Sequence, residues 1–269
     1  MSKEFGQGRN FDRGGLQDAY ENKTAKNTAA GMEQFESGDF KPFEGYDLAG
    51  SHNVFHALLI PTSDTVQSIQ TSVISPLQEI AKKLNLPTIF AGQGDVPIHI
   101  TLDIRNITGL TQEEREKAID WMKQDYSHLQ LITEIFRKPE FRLNRLVMAP
   151  NSYLATDFNN CQSVVYRARQ LLEVIMNRSL QKTLPVGSQT AGRGFEPTFP
   201  YHDIFHSSIC RVVESKNPAP SQNLVNFALE ATETIGKSIL ETPIKVDIES
   251  VFVGTKYETI HPTNPNLLI

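Results

Sequence analysis

Cysteine is nearly absent. Only Cys161 and Cys210 occur in 269 residues, which excludes a disulfide-framed scaffold and is the usage that a reducing compartment permits. Long apolar runs are missing too. None reaches the roughly 18 residues that span a bilayer, so no membrane-spanning role is expected. There is also no excess of positive charge: 26 basic against 31 acidic residues leave a net charge of −5. Such a protein does not coat nucleic acid by bulk electrostatics, so an anionic ligand has to be held locally. The opening MSKEFGQGRNFDRGG has neither the apolar core nor the small-residue cleavage site of a secretory signal. The expectation is a cytoplasmic protein with no membrane contact and no obligatory protein partner.

What is present suits an ordinary globular chain, long enough to bury a sizeable core without metals or disulfides. Residues 1–50 are rich in Gly, Asn, Lys, Glu and Asp without sustained periodicity. They are predicted to form an extended or partly disordered amino-terminal arm. Its aromatics Phe35, Phe40, Phe43 and Tyr46 are spaced so that part of it can dock on the core. From Val54 onward short apolar strands alternate with amphipathic helices, which predicts an α/β or α+β domain over residues 51–269.

The strand VFHALLIP is followed by a helix whose Val66, Ile69, Val73, Leu77, Ile80 and Leu84 form one apolar stripe. In VPIHITLDI, Ile98, Ile100, Leu102 and Ile104 alternate with His99, Thr101 and Asp103, the period-two pattern of a half-buried strand. Thr111 and Glu114 form a capping-box signature for a helix running through Trp121 towards Ser127. Strands around FRLNRLVMAPNSYLATDF, with a hairpin turn near Pro150, precede a helix carrying Val164, Val165, Ala168, Leu171, Leu172, Ile175 and Leu180.

A turn-rich stretch, PVGSQTAGRGFEPTFPYHD, then leads to the strand IFHSSICRVV. A helix over about residues 221–236 and a closing strand over 244–253 complete the chain. Residues 54–127 and 141–236 repeat the order strand region, helix, His-containing strand, helix, which points to two related lobes.

On a strand, residues i and i+2 share a face, so His99 projects with Thr101 and His206 with Ser208. Two such strands placed symmetrically bring both pairs to one phosphate. Displacement at phosphorus needs a base for the attacking oxygen, an acid for the leaving oxygen and donors for the equatorial oxygens. Histidine serves either proton role near neutrality, and Thr101 and Ser208 are short rotatable donors. With hydroxyls meeting the phosphoryl charge, neither metal nor cofactor is expected. The second strand alternates less cleanly, with Ser207 and Arg211 on the face expected to be buried.

Other residues offer weaker signals. Arg193, between two glycines, is placed to hold a phosphate or ribose, and Tyr201 to stack on a base. The pairs His52/His56 and His202/His206 have a metal-like four-residue spacing, with no matching carboxylate or cysteine cluster. Phe136, Arg137, Lys138, Phe141, Arg142 and Arg145 interleave base and ring as single-strand grooves do, or form a solvated strand face. GQGRNFDRGG neither follows a strand nor opens a helix, so no dinucleotide fingerprint is present.

From Val54 to about Ile260 the chain resembles the two-histidine (LigT-like) phosphoesterase superfamily. The resemblance is carried by HITL at His99–Leu102 and HSSI at His206–Ile209, a His-x-Thr/Ser-x-apolar pattern appearing twice. The opening strand and the closing VDIESVFVGTKYETI also sit where that superfamily has them. The resemblance implies a bilobal α+β fold with antiparallel sheets flanked by helices around a central cleft. It also implies hydrolysis of a cyclic phosphate or phosphodiester on a nucleotide or RNA end, with His99, Thr101, His206 and Ser208 catalytic. Substrates in the superfamily include 2′,3′-cyclic phosphates, 2′-5′ linkages and cyclic nucleotide-derived phosphates. The rival reading on the same fold is a nucleotide- or RNA-binding module; a metallohydrolase built on the His-x-x-x-His pairs is a third.

Overall fold

The computed structural model describes residues 13–39, 54–92, 97–107, 109–137, 140–149, 152–156, 161–184, 195–197, 205–213 and 220–255. Its strands are β1 (Val54–Pro61), β2 (Thr88–Phe90), β3 (Ile100–Asn106), β4 (Arg142–Leu143), β5 (Arg145–Ala149), β6 (Ser152–Thr156), β7 (Glu196–Pro197), β8 (His206–Val212), β9 (Ile244–Lys245) and β10 (Ile248–Gly254). They form two four-stranded sheets, ordered β10-β1-β3-β7 and β2-β8-β6-β5, and a small ribbon of β4 and β9. All the pairings are antiparallel. With helices packed on these sheets, the molecule is an α+β protein, and the two motif strands, β3 and β8, lie inside different sheets.

Helix α1 (Arg13–Ser37) is a correction to the extended arm expected at the amino terminus. Among its described inward positions, Thr24, Thr28 and Gly31 accompany Phe35 and the part-buried Met32, so a search for hydrophobic periodicity passes over it. Phe35 is 1% exposed, so the helix docks on the core, against β5 and helix α7 (Ser221–Ala231).

The helix after β1 follows its apolar stripe. α2 (Ser63–Ile69) starts at Thr62, whose hydroxyl accepts from the Thr65 N–H, and passes through a π-helical turn, Gln70–Ile74, into α3 (Ser75–Lys83). α7 likewise passes through a π-helical turn, Thr232–Gly236, into α8 (Lys237–Glu241).

The capping box of α4 (Gln112–Gln124) is present: the Thr111 N–H donates to Glu114 Oε2 at 2.9 Å and the Glu114 N–H to Thr111 Oγ1 at 3.3 Å. That helix stops short of Ser127, at Asp125. α5 (Tyr126–Arg137) starts at the next residue and buries Leu129, Ile132, Thr133 and Phe136. With α6 (Cys161–Thr183), α4 and α5 cover the first sheet. α1 and the segment from α7 to α8 cover the second.

Among the described residues, the rings of the basic and aromatic stretch pack inward rather than lining a groove; Lys138 lies outside them. Phe136 and Phe141 are 1% and 3% exposed and pack with Phe205, Phe136 stacking on it at 5.5 Å between centroids. Arg137 pairs with Glu134, and Arg142 with Glu140. The single closing strand expected over 244–253 is two short ones, β9 and β10, separated at Val246 and Asp247. Pairing of Ala149 with Ser152 fits the hairpin expected there, while Pro150 itself lies outside the described residues.

Candidate active site

β3 pairs with β1 as Phe55↔Arg105 and Ala57↔Asp103, then shifts to Leu58↔Thr101 and Leu59↔Ile100, leaving Leu102 without a partner on β1. Residues opposite one another in an antiparallel pair share a face. Phe55, Ala57 and Leu59 belong to the main core, whereas Leu58 and Phe252 form a separate apolar cluster with Ile60 beside it. Thr101 therefore lies with His56, Leu58 and Ile60 on the face turned away from that core, and parity carries His99 to the same face. Asp103 does not join them. The bulge at Leu102 sends it to the core side, where Oδ1 accepts from the Ile104 N–H at 2.9 Å and Oδ2 pairs with Arg105 at 2.7 Å. The continuous alternation expected through Asp103 thus ends at the motif.

β8 repeats this pattern. It pairs with β6 as Thr156↔His206 and Leu154↔Ser208, then shifts to Tyr153↔Cys210 and Ser152↔Arg211, leaving Ile209 unpartnered there. Ile209 and Cys210 are both buried in succession, and the phase of the strand changes. His206, Ser208 and Arg211 consequently share one half-buried face. Ser207, at 1% exposed, is buried as its position predicts. Arg211, expected on the buried face, is instead carried onto the motif face. Bulges re-aim side chains in just this way and gather near functional sites.

The two motif strands are in contact. A small depression on the core side of β3 is lined by Ile100 and, on β8, by His206 and Ser207, with Phe141, Leu143, Phe205 and Val246.

His99 and Thr101 are 7% and 9% exposed. The His99 Nδ1 lies 2.9 Å from the Pro97 carbonyl. A carbonyl only accepts, so Nδ1 carries the hydrogen and the neutral ring keeps Nε2 as its basic nitrogen. Burial pushes the His99 pKa below its ordinary value; the bond to Pro97 works against this, and the positive charge of Arg211 works with it. His56 is lowered to about 4, by burial first and by His99 second. Burial pushes the Cys210 thiol up, which leaves it unreactive.

Of the site residues expected from sequence, Thr101 lies on β3 with His99 just before the strand, where the expected strand had included it, and His206 and Ser208 share a face of β8. Arg193 and Tyr201 lie outside the described residues, as do His52 and His202. Among the described residues no three His, Cys, Asp or Glu side chains gather as metal ligands, and no helix is long and apolar enough to cross a membrane. Sequence reasoning missed Arg211 and His56. Arg211 had a signal: two adjacent apolar residues, Ile209 and Cys210, break the period just before it.

No family model matches the chain, and no curated protein does. Among solved structures, Usb1 of Kluyveromyces marxianus is similar with a TM-score of 0.43 and 12% identity, over 77% of this chain and 96% of that one.

Proposed function

We propose that the protein is a metal-independent phosphoesterase of the two-histidine kind, a bilobal molecule that opens a cyclic phosphate or cleaves a phosphodiester on a nucleotide or RNA end. The observation that carries this is the matched construction of β3 and β8. Each carries a hydroxyl two residues after a histidine, His99 at the threshold of β3 and His206 at the start of β8, and bulges at the residue after the hydroxyl. A catalytic face repeated to that detail on two touching strands fits an in-line displacement, which needs a proton acceptor on one side of phosphorus and a donor on the other.

Burial of His99 and its lowered pKa support one assignment of the roles. His99, neutral and presenting Nε2, accepts the proton of the attacking water. His206, on the more open strand, protonates the leaving oxygen. Thr101 and Ser208 donate to the equatorial oxygens, and Arg211 supplies the positive charge that the net composition withholds. Arg193 and Tyr201 belong to the proposal as contacts to the phosphate or ribose and to the base. Water is the acceptor: the new P–O bond forms as the ester P–O bond breaks, and one proton passes through each histidine.

The test is hydrolysis of 2′,3′-cyclic nucleotides and short oligonucleotides in chelator by wild type, His99→Ala and His206→Ala. Both variants should lose turnover. Unchanged turnover in either variant, or full dependence on added metal, contradicts the mechanism. Nucleotide binding without product over the whole panel would favour the binding-module reading instead.

A further inference from the structure

In an uninterrupted β3, Asp103 would stand beside Thr101 on the motif face, two residues on. A carboxylate there would face the phosphoryl oxygens and repel them. The bulge at Leu102 prevents this, so whatever holds the bulge also sets the charge of the cleft. One side chain grips it. Arg169, on α6, donates from Nε to the Leu102 carbonyl at 2.7 Å, the backbone of the residue that lacks a β1 partner. Hydrogen bonds from a charged donor are about twice as strong as neutral ones.

We infer that Arg169 is a positioning residue that pins the bulge at Leu102 and so keeps Asp103 out of the anion-binding cleft. That the cleft binds anions rests on the phosphoesterase reading; the placement of Asp103 does not. Arg105 completes the device by holding the displaced carboxylate on the core side at 2.7 Å. A bulge leaves its extra residue out of the ladder, and a buried backbone group left out needs another partner. Without the guanidinium, β3 gains by closing into continuous register with β1, and a one-residue slip exchanges the faces of every residue beyond it. Asp103 then enters the cleft and Ile104 leaves it.

His99 reports this exchange directly. Among the groups that act on it from neighbouring elements are His56 on β1 and Arg211 on β8; a carboxylate arriving at Asp103 would act with the opposite sign. NMR titration of His99 and binding of inorganic phosphate should be measured in wild type, Arg169→Met, Asp103→Asn and the double variant. In Arg169→Met the His99 pKa should rise by about one pH unit, as beside a new carboxylate, and phosphate affinity should fall about tenfold. Asp103→Asn alone should change neither.

Asp103→Asn in the Arg169→Met background should restore both, which a general loss of packing would not allow. An unshifted His99 in Arg169→Met, or a double variant no better than the single, overturns the inference. If Arg169→Met does not fold, the same comparison is made in Arg169→Lys, whose shorter reach to Leu102 should produce the same changes in part, and an Arg169→Lys indistinguishable from wild type overturns it. A wild type that binds no phosphate refutes the phosphoesterase reading, while the His99 titration still decides the role of Arg169.

Discussion

β3 and β8 carry the same short pattern, and the residues just beyond it make the two strands opposites. In each strand a histidine and a hydroxyl share a face and the next aliphatic residue bulges, Leu102 in one and Ile209 in the other. Past the bulge β3 removes a negative side chain, Asp103, and β8 brings in a positive one, Arg211. The charge on the motif faces is therefore decided at the bulges rather than in the motifs. The settings differ as well. His99 and Thr101 are buried in the first sheet with His56 on the same face, whereas His206, Ser208 and Arg211 are half-buried. The buried strand suits a neutral base and the open one suits a donor and an anion clamp.

The largest effect should come from the histidines themselves. His99→Ala and His206→Ala should each lower kcat by about 10²- to 10⁴-fold, the range of a general acid or base. A loss confined to one strand would break the symmetry of the comparison.

The next effect concerns stability and belongs to the first sheet alone. His56 titrates near 4 in the folded protein against its ordinary 6.5, so below pH 6.5 the unfolded chain binds the proton that the folded one refuses. Stability is full above pH 6.5 and falls as the pH drops towards 4, by about 3 kcal/mol at this site. Urea midpoints measured across that window should fall in wild type and fall less in His56→Gln.

Arg211→Met should raise KM about 30-fold, the worth of roughly 2 kcal/mol for a charged hydrogen bond, while Asp103→Asn leaves kcat/KM unchanged. Equal effects of the two would mean that the bulges do not sort charge. The smallest changes are expected from the hydroxyls. Thr101→Val and Ser208→Ala should each lower kcat/KM roughly 5- to 10-fold, as for a neutral donor worth about 1 kcal/mol.

The motifs and their strand parity were legible because a half-buried strand writes its two faces into alternate letters. Parity held as far as Thr101 and Ser208 and failed one residue later. Leu102 and Ile209 are ordinary aliphatics, and nothing in their chemistry announces an unpaired position; only the adjacent apolar pair Ile209–Cys210 hinted at a phase change. The helix stripe from Val66 to Leu84 was legible for the same reason as the strands. α1 was not, since its described inward positions mix Thr24, Thr28 and Gly31 with Met32 and Phe35. The Phe136–Phe141 stretch misled because its rings pack on Phe205, a residue distant in sequence, and no local pattern records that partner.

Two histidines working on one phosphate must both feel the same anion. With no metal present, NMR titration of the protein with inorganic phosphate should shift the ring resonances of His99 and His206 together, along one saturation curve with a single Kd. A shift in only one ring, or two curves with separate affinities, would contradict a shared site.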